Sequence, residues 1–185
     1  REMADSWAAR LQPGAGKVIV MPTTSDGRTL YRLRVIGLAD RDNAAQVARK
    51  LETELRSFLQ ALVHGDFMQT HVPVEARKIH DIALSGNGEP TSAKEFESVI
   101  ELIGNILKDF SVLQDLKLVL ITNGSLIHRP AVQAGLERMA QLNGEVWFKF
   151  DRALSAERQR INNSPISLKK IRHHLQIVTS LCPTW

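Results

Sequence analysis

The sequence predicts an α/β chain: an N-terminal β-hairpin plus a long helix, then a partial parallel (β/α) barrel-like sheet of about three strands with helices. Three observations carry that prediction. Two strand-like runs flank an Asp26-Gly27 turn signal. An uninterrupted apolar stripe at helical spacing follows, and short apolar runs then alternate three times with helical patterns. With 185 residues, 43% of them apolar and 24% charged, the chain suits one ordinary globular domain or two small ones, and is too short for a large multidomain enzyme.

The first helical pattern covers residues 3–11 and stops at Pro13-Gly14-Ala15-Gly16. Strands are expected over 17–21 and 29–36. In the second, Tyr31, Leu33 and Val35 alternate with Arg32, Arg34 and Ile36, so one side of the ribbon is apolar and the other carries two arginines. A long helix begins near Asp40 or Asp42 as cap. Its stripe runs through Ala44, Val47, Ala48, Leu51, Leu55, Phe58, Leu59 and Leu62, and Gly65 ends it.

Beyond a polar connector at 71–78, strands are expected over 79–84, 116–122 and 145–150. Helices are expected over 92–109, 130–142 and 167–181, with Val99, Ile100, Leu102, Ile103 and Ile106 facing inward in the first. This alternation means a parallel sheet with right-handed crossovers. The switch from hairpin to strand–helix chemistry divides the chain into a module over 1–54 and a second over 55–185, with the joint inside the long helix. An incomplete parallel sheet leaves strand edges unpaired, so self-association is expected unless the hairpin covers an edge.

Charge and cysteine content narrow the function. Lys and Arg number 24 against 20 Asp and Glu, a net +4 without blocks of like charge; this permits a nucleic-acid partner without singling one out. Apolar runs such as residues 118–121 are far short of a membrane span. The chain opens at Arg1, as a fragment or processed product would, and no leader pattern precedes Trp7. The single cysteine, Cys182, excludes a disulfide, a Cys-rich zinc site or a Cys-held iron–sulfur cluster built from this chain alone; a buried free thiol is its expected state.

Candidate binding residues gather at strand ends. Ser85-Gly86-Asn87-Gly88-Glu89-Pro90-Thr91 links the 79–84 strand to its helix. Its glycines allow close backbone approach to a ligand, Pro90 fixes the turn, and Ser92 with Glu95 has capping-box spacing. The alternative is a plain strand-to-helix turn with an exposed glutamate. Thr122-Asn123-Gly124-Ser125 closes the next strand. Lys149 and Asp151 share one face at the third strand end, either toward a polar cavity or as a solvated pair on an edge strand. The six histidines lack metal-ligand spacing, and no Ser-His-Asp set is fixed by sequence.

These three strand ends, taken in order over about residues 56–185, resemble the radical S-adenosylmethionine superfamily, in its branch with wyosine-type tRNA-modifying enzymes. The resemblance implies a partial or full (β/α) barrel, S-adenosylmethionine as cofactor, and a small-molecule or RNA substrate. It implies a cofactor-binding set of Gly86, Asn87, Gly88, Glu89, Pro90, Asn123, Lys149 and Asp151, with Glu89 facing the methionine ammonium. The family also needs a CxxxCxxC loop for a [4Fe–4S] cluster, and this sequence has none. The expected reading is therefore a binding loop without reductive cleavage, in the cytoplasm.

The stretch Gly27-Arg28-Thr29-Leu30-Tyr31-Arg32-Leu33-Arg34-Val35-Ile36-Gly37-Leu38-Ala39-Asp40, with Ala44-Ala45 and Leu51, is similar to the second half of a SPOR domain. That resemblance implies a small four-stranded sheet, a peptidoglycan glycan partner and a periplasmic setting, with Arg32 and Arg34 as candidate glycan contacts or, alternatively, as solvated arginines. A fused or incomplete reading frame would account for both resemblances.

Overall fold

The computed structural model describes residues 17–25, 28–36, 44–85, 88–112, 114–149 and 167–185, those before Ala48 by backbone alone. Five strands form one sheet in the order β1-β2-β3-β4-β5. Strands β1 (Lys17–Ser25) and β2 (Arg28–Ile36) are antiparallel in nine-residue register, closing at Ser25↔Arg28 on either side of Asp26-Gly27. The expected helix over 3–11, the Pro13–Gly16 breaker, the turn residues Asp26 and Gly27 and the caps Asp40 and Asp42 lie outside the described residues.

Helix α1 (Ala44–Leu59) continues into a π-helical turn, Gln60–His64, and Gly65 ends it. A Cβ at Gly65 would sit 2.6 Å from the Ala61 carbonyl oxygen, so the residue at which the helix ends has no room for a side chain. Leu51, Leu55, Phe58, Leu59 and Leu62 are all buried, each worth about 1.5–3 kcal/mol of apolar transfer. A short helix, α2 (Phe67–His71), precedes the polar connector expected at 71–78, and the connector itself contains a 3-10 turn at Val74–Ala76.

Strands β3 (Ile79–Leu84), β4 (Lys117–Thr122) and β5 (Gly144–Phe148) are the expected parallel set. Helices α3 (Phe96–Asp109), α4 (Pro130–Ala140) and α5 (Leu168–Leu181) alternate with them. Several boundaries move by one to four residues, two of them beside the candidate site. Helix α3 starts at Phe96 rather than Ser92, because Pro90–Ser92 winds as a 3-10 turn; Glu95 takes the cap position without a side-chain bond, so the Ser92–Glu95 capping box does not form. Strand β5 ends at Phe148, which leaves Lys149 just beyond it.

One core fills the space between sheet and helices. Ile82, Leu84, Leu118, Leu120 and Val146 meet Leu51 and Leu55 of α1, Phe96, Ile100 and Ile103 of α3, and Leu136 and Met139 of α4; Leu102 packs at its margin. The alternate strand positions form another row, Ala83–Val119–Glu145, continued by Arg34 of β2 in register with Ala83.

The hairpin joins the parallel set directly: Arg34↔Ala83 and Val35↔Leu84 pair in parallel. The far edge is covered too. Residues 183–185 lie along β5, with the Val146 N–H donating to Pro183 O (2.7 Å) and the Phe148 N–H to Trp185 O (2.9 Å). The condition attached to self-association is thus met on both sides of β3–β5. Among the described residues no helix is long and apolar enough to cross a membrane.

Candidate functional site

The carboxyl ends of β3 and β4 meet at one carboxylate. Glu89 Oε1 accepts from the Thr91 N–H (3.3 Å), the Thr91 hydroxyl (2.7 Å) and the Thr122 hydroxyl (2.5 Å). Its Oε2 accepts from the Asn123 N–H (2.8 Å). Four donors on one anion make charge-assisted bonds, stronger than neutral ones, and they tie two loops separated by more than thirty residues. The local sequence prepares this. Pro90 opens the 3-10 turn that brings the Thr91 N–H round to the Glu89 side chain.

Next to it, Gly88 has φ +120° and nothing within 4 Å of where a Cβ would stand, so open space lies beside the backbone of the loop. Gly124 has φ +70°, and a Cβ there would run into the Phe148 ring. Its turn is braced by the Thr122 hydroxyl oxygen, which accepts from the Gly124 N–H (3.0 Å), and by Asn123 Oδ1, which accepts from the Ser125 N–H (2.9 Å). The asparagine oxygen proposed for ligand recognition is thus engaged in its own turn.

Of the eight residues expected at the site, Gly88, Glu89, Pro90 and Asn123 come together here. Lys149 stands at the end of the neighbouring strand, exposed, its N–H donating to Thr122 O (2.7 Å). Gly86, Asn87 and Asp151 lie outside the described residues, and so does the expected Lys149–Asp151 face.

Two groupings escaped the sequence reading. Glu145, 6% exposed, accepts from Trp147 Nε1 (2.6 Å) and from the Lys117 ammonium. Burial pushes its carboxyl up, but the hydrogen bond and charge of Lys117 and the Trp147 bond, with a further contribution from the Trp185 indole, outweigh burial and hold it below the usual carboxylate range. The available signal was an acidic residue in the middle of an apolar strand. Two histidines that spacing does not relate come together: His128 and His174 stack at 5.4 Å although 46 positions apart.

The residues do not fit an iron–sulfur cluster. Cys182 is buried, its Sγ directed at Gly144 O (3.6 Å), and burial pushes its thiol up to about 12. A thiol that resists ionisation is a poor iron ligand, and three such ligands are needed. Among the described residues no three His, Cys, Asp or Glu gather in a way that could hold a metal ion.

Comparison with known proteins identifies one region. Residues 1–62 match the family model of the SPOR domain, a span that contains β1, β2 and α1. No curated protein and no solved structure matches the chain.

Proposed function

We propose that the first 62 residues act as a peptidoglycan-binding SPOR-type module, and that the chain works in the periplasm. The observation that carries this reading is the family match itself, which spans the hairpin and the helix that follows. Arg32 and Arg34 are the contacts we assign to the glycan. They occupy alternate positions of β2, in register with Met21 and Ile19 of β1. A guanidinium offers five fixed donors, suited to sugar hydroxyls and amide carbonyls. Co-sedimentation of the full chain with amidase-treated peptidoglycan tests the proposal. The wild-type chain pellets with the treated material, and Arg32→Ala with Arg34→Ala abolishes pelleting while leaving the thermal midpoint unchanged. Absence of wild-type pelleting overturns the reading.

The open space beside Gly88, next to an anchored carboxylate, favours a second reading for the remainder: a strand-end pocket of the S-adenosylmethionine-binding kind, which binds without cleaving. Glu89 already serves four donors of its own chain, so an ammonium would share a carboxylate whose acceptor capacity is largely used. Calorimetry with S-adenosylmethionine tests it. A weak saturable heat, lost in Glu89→Ala, supports this reading, and no heat contradicts it without touching the glycan proposal.

A further inference from the structure

Helix α5 is fastened to the body of the molecule at a buried imidazole. His174 is 1% exposed, and its Nδ1 lies 2.6 Å from the Gly124 carbonyl oxygen. A carbonyl can only accept, so Nδ1 carries the proton and the neutral ring has its lone pair at Nε2. The carbonyl belongs to the turn that Glu89 grips from its other side, at the Asn123 N–H.

The surroundings of this ring are rich in basic side chains. The charged groups acting on it most strongly are Lys170 and His173 of its own helix and His128 of the β4–α4 connection. His128 stacks on it at 5.4 Å, and His173 lies 6.2 Å away at a 46° tilt. Helix α5 also carries Lys169 and Arg172 and contains no Asp or Glu. Beside His128 stands Arg129, while β5 contributes the uncharged Phe148 ring over Gly124. The packed helix α4 carries Glu137 and Arg138, and Arg138 is engaged by Glu101 and Gln141.

We propose that α5 is a pH-operated latch. With His174 neutral, the helix holds the Thr122–Ser125 turn and, through Cys182, seats residues 183–185 on β5. When His174 is protonated, helix and tail come away together. A second proton would place a charge in a desolvated site beside the Lys170 ammonium and two further imidazoles. Desolvation accordingly lowers the His174 pKa from its ordinary 6.5, against the Gly124 bond, which raises it. A lowered value fixes the sign: the contribution to docking is complete above about 6.5, the undocked value, and is lost as pH falls through the docked value. Besides His174, the helix buries Ile171 and Val178, Ile177 and Leu181 pack at the margin of the core, and Cys182 is buried behind them. Three backbone hydrogen bonds hold the tail on β5, so release is a local opening of helix and tail, short of global unfolding.

Amide hydrogen exchange on the full chain reads the latch, because the Val146 and Phe148 N–H groups donate to the tail whereas the Lys149 N–H donates to Thr122 of β4. After correction for intrinsic rates, Val146 and Phe148 lose protection by up to about tenfold for each pH unit through the titration window. Lys149 keeps its protection over the same range. In His174→Gln the pH dependence at Val146 and Phe148 disappears. If that variant does not fold, the imidazole proton shifts of the wild-type chain decide. Titration of His174 at or above about 6.5 overturns the proposal, as does equal protection of the two tail-bonded amides across the window.

Discussion

The hairpin region and the β3–β5 region obey different sequence rules yet share one sheet. In β2, apolar Tyr31, Leu33 and Val35 alternate with Arg32 and Arg34, the mark of a strand with one side toward a core. In the second half of β3 and the middle of β4 both sets of positions are apolar and buried: Ile82 and Leu84 with Ala83, Leu118 and Leu120 with Val119. Strand β2 serves both partners, antiparallel to β1 and parallel to β3. A change in strand chemistry therefore does not mark the edge of a sheet. What passes across the change is register: Leu33 and Val35 sit beside Ile82 and Leu84, so the apolar row of the hairpin runs on into that of the parallel set.

The largest test of this continuity is Leu55→Ala. Leu55 is fully buried, lies in the helix that follows the hairpin and belongs to the core beneath β3–β5. The variant loses about 2–5 kcal/mol in urea unfolding, and circular dichroism and tryptophan fluorescence give coincident midpoints. Separate transitions, with only one displaced, would divide the molecule into two units.

A smaller effect, confined to the second region, is expected of Glu89→Ala. It strands the Thr91 and Thr122 hydroxyls and the Asn123 N–H together, at a cost of about 1.5–3 kcal/mol. Exchange at the Asn123 amide rises more than at the amides of β2. Uniform loss across both regions would show that the carboxylate is not local in its action.

The smallest change is in pH dependence. Because the Glu145 carboxyl is held below its ordinary 4.5, its contribution is present above that value and lost as pH falls through the lower, folded value. Glu145→Gln flattens this acid limb of stability. At neutral pH it costs only about 1 kcal/mol, since Lys117 is half exposed and its charge is screened. An unchanged acid limb would mean that the Lys117 and Trp147 contacts do not act on the carboxyl.

Much of the architecture was readable because it is local. The C-terminal boundary of β3 follows from the apolar Ile82–Leu84 run ahead of a turn signal, and the end of the long helix follows from Gly65. Ser167, read as the first residue of the last helix, stands just before it as its cap, accepting from the Lys170 N–H. The Ser92–Glu95 pattern misled because spacing cannot anticipate that Glu89 and Pro90 wind the preceding residues into a tighter turn. The strand-end site was half legible. Glycines and a glutamate announced a loop, but the partners that occupy Glu89, chiefly Thr122 and the Asn123 N–H, depend on strand order. Likewise, the pairing of β2 with β3, the tail on β5 and the His128–His174 stack are long-range contacts with no periodic trace.

The junction between the two regions can be observed directly by nuclear Overhauser spectroscopy on the labelled full-length chain. Parallel pairing of Arg34 with Ala83 and of Val35 with Leu84 predicts cross-strand contacts between the backbone protons of β2 and β3, together with those from β2 to β1. Contacts from β2 to β1 alone, with the β3 edge exchanging freely, would contradict the single sheet.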